Sequence, residues 1–359
     1  MNFIKIILFP FSLLYGIVIS LRNKMFDWKI LPSQQFHIPI ISIGNLSYGG
    51  TGKTPHIEYL IRLLQDKYNI ATLSRGYGRS SKGFVLAMED SNYKEIGDES
   101  LQYKQNFENI EVAVDNFRRR GIKILINTIQ KLNVILLDDA FQHRYVKPGM
   151  SILLTDFRKL YVNDYIIPCG TLREFRGGAK RADIIIVTKT DTIFSPITRR
   201  RLTGLIKPKG YQRLYFSYVT YGEKLPVPGI ENKINKKRFN TILLFSGIAN
   251  SYLSQEHLKK YCQELIVLDF PDHHKYTTKD LNKIIEAYND IFSKNKIIIT
   301  TEKDAMRLIK TELIKYIKDF PVYYIPIKIK FHKDDAAKFD KQILNYVAKN
   351  QKDSRVHKK

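Results

Sequence analysis

Residues 40–55 read IISIGNLSYGGTGKTP, and this stretch decides the fold. The apolar run Ile38 to Ile43 has the unbroken hydrophobicity of a strand buried on both faces, as in a parallel sheet. A glycine-rich turn follows, with Gly49, Gly50 and Gly52. A helical pattern then begins, with Ile57, Leu60, Ile61 and Leu64 on one face. Strand, glycine loop, Lys-Thr and helix are the layout of a P-loop. Its glycines let backbone N–H groups curl around a phosphate, and the helix N-terminus adds its dipole. The layout assigns Ser47, Tyr48, Gly49, Gly50, Thr51 and Gly52 to a nucleotide cradle. Lys53 is expected at the β- and γ-phosphates, and Thr54 at the nucleotide and its Mg²⁺. Pro55 suits a first helical turn, where a missing N–H costs nothing. Ser47 stands where the usual pattern G-x-x-x-x-G-K-[ST] has glycine.

Working outward, the 359 residues suggest two domains, and 44% hydrophobic content is normal for a globular core. A net charge of +24 draws the chain to anionic partners such as nucleic acid, phosphorylated substrates or acidic membrane surfaces. The two cysteines, Cys169 and Cys262, have no metal-ligand spacing.

Upstream, Ile6 to Leu21 is a run of 16 residues without charge, flanked by Lys5 and by Arg22 and Lys24. As a helix it spans about 24 Å, short of the ~30 Å hydrocarbon core, and Pro10 is expected to kink it. No small-residue cleavage site marks it as a signal peptide. The run reads as a short membrane anchor or an interfacial helix, with a buried N-terminal helix as the alternative. Arg22, Lys24 and Lys29 place the following chain on the cytoplasmic side.

Downstream, a strand at Ile70 to Leu73 ends in Ser74-Arg75-Gly76-Tyr77-Gly78-Arg79, a setting suited to an anionic ligand. Asp98 and Glu99 open a helical pattern, where acids also serve as caps. A strand at Ile110 to Val114 leads to Arg118, Arg119 and Arg120 at a helix N-terminus, against the dipole. The strand Asn133 to Leu137 runs into Asp138-Asp139, a Walker B arrangement for Mg²⁺. Further strands are expected at 151–154 and 183–187, with a loop at 168–174 between them. The reading is an α/β fold: a P-loop NTPase-like parallel sheet with helices on both faces, and a second, smaller α/β domain. Its parts are a membrane-associated helix (1–30), a P-loop kinase domain (31–210) and a linker, with a β-ribbon as one form of it (211–240). The second domain (241–348) includes one strand over Val322 to Ile329, and a frayed basic tail (349–359) ends the chain.

Taken together, the motifs resemble the tetraacyldisaccharide 4′-kinase family, the lipid A 4′-kinases of Gram-negative bacteria. The matching residues are GNLSYGGTGKTP (44–55), SRGYGR (74–79), GDE (97–99), DDAFQH (138–143), GTLRE (170–174), DHH (272–274) and TEKD (301–304). The family also carries Ser or Thr at position 47. Two residues depart from its pattern: Ala140 where glycine is usual, and Phe175 where proline is common.

The resemblance implies transfer of the γ-phosphate of ATP, with Mg²⁺, to the 4′-hydroxyl of an acylated disaccharide 1-phosphate lipid at the cytoplasmic face of the inner membrane. It implies no nucleic acid and no obligate protein partner. Asp98 and His273 become a base pair acting across a domain cleft, with His274 the competing histidine. Asp138 and Asp139, with Glu99 assisting, become the Mg²⁺ site beside Thr54. Arg75, Tyr77, Arg118, Gln142, His143, Arg173 and Glu174 line the headgroup or nucleotide pocket; Arg118 is preferred to Arg119 because it lies three residues after Asp115. The competing reading is a P-loop GTPase switch, for which Thr188-Lys189-Thr190-Asp191 approximates a guanine-reading motif. A deviant-Walker ATPase would carry a second lysine where Ser47 and Tyr48 stand.

Overall fold

The computed structural model describes residues 3–231, 234 and 236–356. In chain order the elements begin with α1 (Phe3–Asp27), β1 (Ile40–Asn45), α2 (Lys53–Leu64), β2 (Ile70–Ser74) and β3 (Val85–Leu86). Next come α3 (Tyr93–Ile96), α4 (Asp98–Asn106), β4 (Ile110–Val114), α5 (Arg118–Thr128), β5 (Val134–Asp138), β6 (Met150–Asp156) and β7 (Ile184–Thr188). Then follow α6 (Pro196–Ile206), β8 (Arg213–Tyr221), β9 (Leu225–Pro226), β10 (Phe239–Ser246), α7 (Tyr252–Leu258), β11 (Cys262–Asp269) and α8 (Thr278–Asn289). The chain closes with β12 (Lys296–Thr301), α9 (Glu302–Leu308), α10 (Ile314–Ile317), β13 (Val322–Ile325), β14 (Ile327–Phe331) and α11 (Asp335–Val356).

Every residue of β1 is buried: parallel neighbours β5 and β6 pair its edges, Ile41 and Ile43 share a core with α2, and Ile40 shares one with α5 on the other face. The large sheet has nine strands in the order β14-β8-β7-β6-β1-β5-β2-β4-β3, antiparallel only at its two ends. From β1 the chain runs out to β2, β3 and β4 on one side, returns to β5 beside β1, and then crosses to β6 on the other side. The P-loop therefore opens at a point where strand order reverses, the usual ligand crevice of an open α/β sheet. Ile57, Leu60, Ile61 and Leu64 bury the inner face of α2. Each such side chain contributes ~1.5–3 kcal/mol of apolar burial.

The second sheet has the order β11-β10-β12-β13-β9. The expected linker over 211–240 is corrected here, because β8 is an integral strand of the first sheet, parallel to β7. The expected strand Val322 to Ile329 is two strands in two sheets. Pro326 divides them, since it has no N–H to continue a ladder. The chain thus crosses between the lobes twice, side by side, and Gly222 N–H donates to the Pro326 carbonyl at the crossing (2.9 Å). After the crossing, β14 and α11 return to the first sheet, so the second lobe ends before 348. Tyr346 on α11 bonds the backbone of Ile40. The tail expected from 349 is helical as far as Val356, and residues 357–359 lie outside the described residues. Part of the basic run 232–238 also lies outside them.

Helix α1 runs unbroken through Pro10. At 25 residues it is about 37 Å long, more than the apolar run alone allowed. The segment Ile7–Asp27 is long and apolar enough to cross a membrane by length and composition. It is not a buried helix, since Phe11 is 62% and Leu14 63% exposed. Its inner face is tied down: Ser12 Oγ donates to the Ile166 carbonyl (3.1 Å), and Asn23 Nδ2 donates to Glu174 (2.8 Å).

Candidate active site

The P-loop has the backbone its glycines promised. Gly49 and Gly52 have φ of 108° and 88°, a region costly for other residues. Neighbours hold the loop from several sides. Tyr48 N–H donates to Thr171 (2.9 Å) and Arg173 N–H to Leu46 (2.7 Å), so the 170–174 loop braces it. Buried Ser47 pairs with Leu172 as an isolated bridge. Asn45 Nδ2 donates to Thr51 Oγ1 (2.9 Å), and Thr188 Oγ1 to the Thr51 carbonyl (2.9 Å). Lys189 donates to the Gly50 carbonyl and pairs with Asp156 (3.0 Å). The stretch that approximated a guanine-reading motif is thus occupied in bracing the loop.

His56, on the buried face of α2, was not anticipated. Burial pushes its imidazole down to about 4, so it is neutral. Its Nδ1–H donates to the Gly52 carbonyl (2.7 Å), and its Nε2 accepts from Ser217 (3.0 Å).

Lys53 Nζ lies 3.7 Å from Asp139 Oδ1, and its side chain is 11% exposed. Arg173 reaches both Asp139 oxygens at 3.1 Å. Burial raises the Asp139 carboxyl, but Lys53 and then Arg173 outweigh it and hold it below the usual range. Asp138 behaves oppositely. Burial, then the nearby charge of Glu99, pushes it up to about 7. Its Oδ2 accepts from Tyr103 (2.9 Å), while Oδ1 is buried with no hydrogen-bond partner among the described residues. Adjacent acids at a strand end thus carry very different environments.

Asp98, first residue of α4, meets His273 from the second lobe, with Nδ1 at 3.3 Å from Oδ2. Arg307 and Lys303 of α9 complete this cluster. Arg307 donates to Asp98 Oδ2 from Nε (2.9 Å) and Nη2 (2.6 Å). Lys303 Nζ pairs with Glu99 (2.9 Å) and lies 3.4 Å from His273 Nε2. Burial opposes the Asp98 charge, but Lys303, His273 and Arg307 together hold this carboxyl well below the usual range. His274 turns away to Asp280 (3.0 Å), which leaves His273 as the partner. The exposed ring of Tyr77 lies 4.5 Å from the His273 ring.

The expected pocket residues divide. Arg75 and Tyr77 are exposed at the end of β2, and Arg173 faces Asp139. Gln142 is half-buried and donates to the Asn45 carbonyl (2.8 Å). His143 is also half-buried, and burial, then the Arg118 charge, pushes it down to about 4. Two of these residues lie deeper than the rest. Arg118 is only 2% exposed and faces inward, donating to the carbonyls of Asp115 (2.6 Å) and Asp138 (3.2 Å). It props the acidic strand end from beneath. Glu174 is buried and its oxygens accept from Asn23, Gln142 and Arg181. It wires α1 to the loop that carries Arg173 rather than lining an open pocket.

With this geometry in place, the comparisons are direct. The sequence model of the family described as tetraacyldisaccharide-1-P 4′-kinase matches residues 4–348. The tetraacyldisaccharide 4′-kinase of Bacteroides thetaiotaomicron is 44% identical over 367 residues, covering 98% of this chain and 96% of the relative. That of Flavobacterium psychrophilum is 45% identical over 349 residues, covering 97% and 98%. Among solved structures, an "apo" form of LpxK from Aquifex aeolicus in complex with ATP is similar, with TM-score 0.72 and 26% identity. That likeness covers 96% of this chain and 99% of the other. A P-loop braced by the 170–174 loop, an acidic pair beside Lys53 and an Asp–His pair across two lobes therefore stand in a chain that belongs to the tetraacyldisaccharide 4′-kinase family.

Proposed function

We propose that this protein transfers the γ-phosphate of ATP to the 4′-hydroxyl of a tetraacyldisaccharide 1-phosphate, giving lipid IVA in lipid A biosynthesis at the cytoplasmic face of the inner membrane. One observation carries the reading. The P-loop lysine, Asp139, Gln142 and the Arg173 loop form one contact network, and Glu174 and Asn23 link that network to an apolar helix. Phosphoryl transfer demands mainly positioning and charge neutralisation. Lys53 and the loop amides supply charge at the transferred group, Arg173 and Arg75 suit phosphate oxygens, and Asp98 with His273 takes the hydroxyl proton. Competition between ATP and GTP for one site tests the nucleotide: ATP should displace a fluorescent adenine nucleotide, and preference for GTP would favour a switch GTPase instead.

The residues fit Mg²⁺. Asp138 offers a buried unpartnered oxygen in a site crowded with negative charge. The described residues include no metal-holding group of three or more His, Cys, Asp or Glu, and Mg²⁺ commonly takes one or two carboxylates plus substrate phosphates. Thr54, Asp138 and Asp139 would hold it, with Glu99, paired to Lys303, acting from outside. When bound, the ion neutralises charge on the phosphate oxygens.

A stability prediction follows from the sign of the Asp138 shift. Its folded value, about 7, lies above the ordinary 3.8, so the cation-free fold disfavours the ionised form. Stability is therefore lost as pH rises from about 4 through 7. Asp138→Asn should raise the melting temperature of Mg²⁺-free protein at pH 8, with the gain vanishing near pH 4. An unchanged melting temperature at pH 8 would show that Asp138 carries no such strain.

Membrane attachment gives another prediction. Phe11 and Leu14 are exposed on α1, and their burial in lipid adds apolar stabilisation. Phe11→Glu with Leu14→Glu should abolish recovery of the protein on anionic vesicles while leaving nucleotide binding intact. Undiminished recovery would mean that α1 does not hold the protein to the bilayer.

A further inference from the structure

Arg307 stands where the lobes meet, and both halves of the Asp98–His273 pair hang from it. Toward α4, its Nε and Nη2 donate to Asp98 Oδ2. Toward the second lobe, its Nη1 donates to Asp304 Oδ1 (2.7 Å) and to the Gly247 carbonyl (2.9 Å). That same carbonyl accepts the backbone N–H of His273 (3.0 Å). His273 has φ +57°, a left-handed backbone that persists in a non-glycine residue only where its surroundings fix it. One guanidinium therefore reaches a carboxylate on one lobe and the loop of its partner on the other.

The fit is close. The side chains of Arg307 and Asp98 are only 3% and 5% exposed. A Cβ added at Gly247 would lie 3.1 Å from Asp304 Oδ1 and 3.2 Å from Arg307 Nη1, so a side chain there would press on this cluster. The rigid fork of arginine suits the task; a lysine ammonium carries the charge but cannot present three donors in a fixed plane.

We propose that Arg307 is a positioning residue for phosphoryl transfer: it fixes the Asp98 carboxylate and, through the Gly247 carbonyl, the backbone of His273, and so sets the separation of the pair. The inference rests on the assignment of Asp98 and His273 to the acceptor hydroxyl. Its test separates the two claims. In the parent enzyme, His273→Ala should lower kcat about 100-fold; no loss would remove the pair assignment and this inference with it.

In an Arg307→Ala background the pair is no longer held together, so His273→Ala should cost less than about threefold more, within ordinary additivity error. Arg307→Ala alone should lower kcat with KM for ATP unchanged, and added guanidinium should restore part of the loss. A full ~100-fold cost of His273→Ala in the Arg307→Ala background would overturn the proposal, because the pair would then work without Arg307. Should Arg307→Ala fail to fold, Arg307→Lys carries the same test. Lost coupling to His273 supports the proposal, and intact coupling overturns it.

Discussion

Lys53→Ala should lower kcat/KM for the lipid at saturating ATP by about a thousandfold or more, the scale of losing a preorganised donor at the transferred group. Lys53 is the first residue of α2, and its Nζ faces Asp139 across 3.7 Å. Its side chain takes no part in the packing of Ile57, Leu60, Ile61 and Leu64, so α2 should stay folded. Steady-state kinetics beside a thermal melt check both halves of this statement. Turnover near the parent level would show that the loop is not a phosphate cradle.

Asp98→Ala and His273→Ala should each lower kcat by roughly 10²–10⁴, the range for a positioned proton-transfer group. The double variant should be little worse than the poorer single one, because residues acting as a unit lose their contribution together. Asp98 is a weak base alone, since its neighbours stabilise the anion. In the proposed reaction His273, 3.3 Å away, would orient it and give the proton a second place to go. Asp98→Ala also leaves the buried Nε and Nη2 donors of Arg307 without an acceptor, while Asp304 still pairs with its Nη1, a loss on the order of 1–3 kcal/mol. Asp98→Asn should therefore be measured beside it to separate chemistry from folding. Multiplicative losses in the double variant would show two independent groups.

Much of the first sheet was legible because its strands are buried on both faces and read as plain apolar runs. The expected strand at Ile110 to Val114 coincides with β4, and the acids after Leu137 fall at the end of β5. What failed depended on tertiary partners. Leu214 to Thr220 alternates like a strand, yet nothing local says that β8 pairs with β7. Val322 to Ile329 carries one charge, Lys328, and reads as a single run, so only Pro326 hinted at the break.

At the site, the Asp98–His273 pair followed motifs, and the structure brings it together. The depth of Arg118 was not legible, because an arginine at a helix start looks solvated, whereas two carbonyls draw it inward. Lys303 lay inside a recognised motif without a role, and Arg307 lies one helical turn beyond it. Tyr103, Asn45 and His56 carried no sequence signal, because each acts through a neighbour that only the fold supplies.

The most direct measurement is label transfer by the purified protein from γ-labelled ATP to tetraacyldisaccharide 1-phosphate presented in mixed micelles. The account predicts a Mg²⁺-dependent product that carries the label as a phosphate monoester at the 4′ position. Nucleotide hydrolysis without label on the lipid, or label elsewhere on the disaccharide, would contradict it.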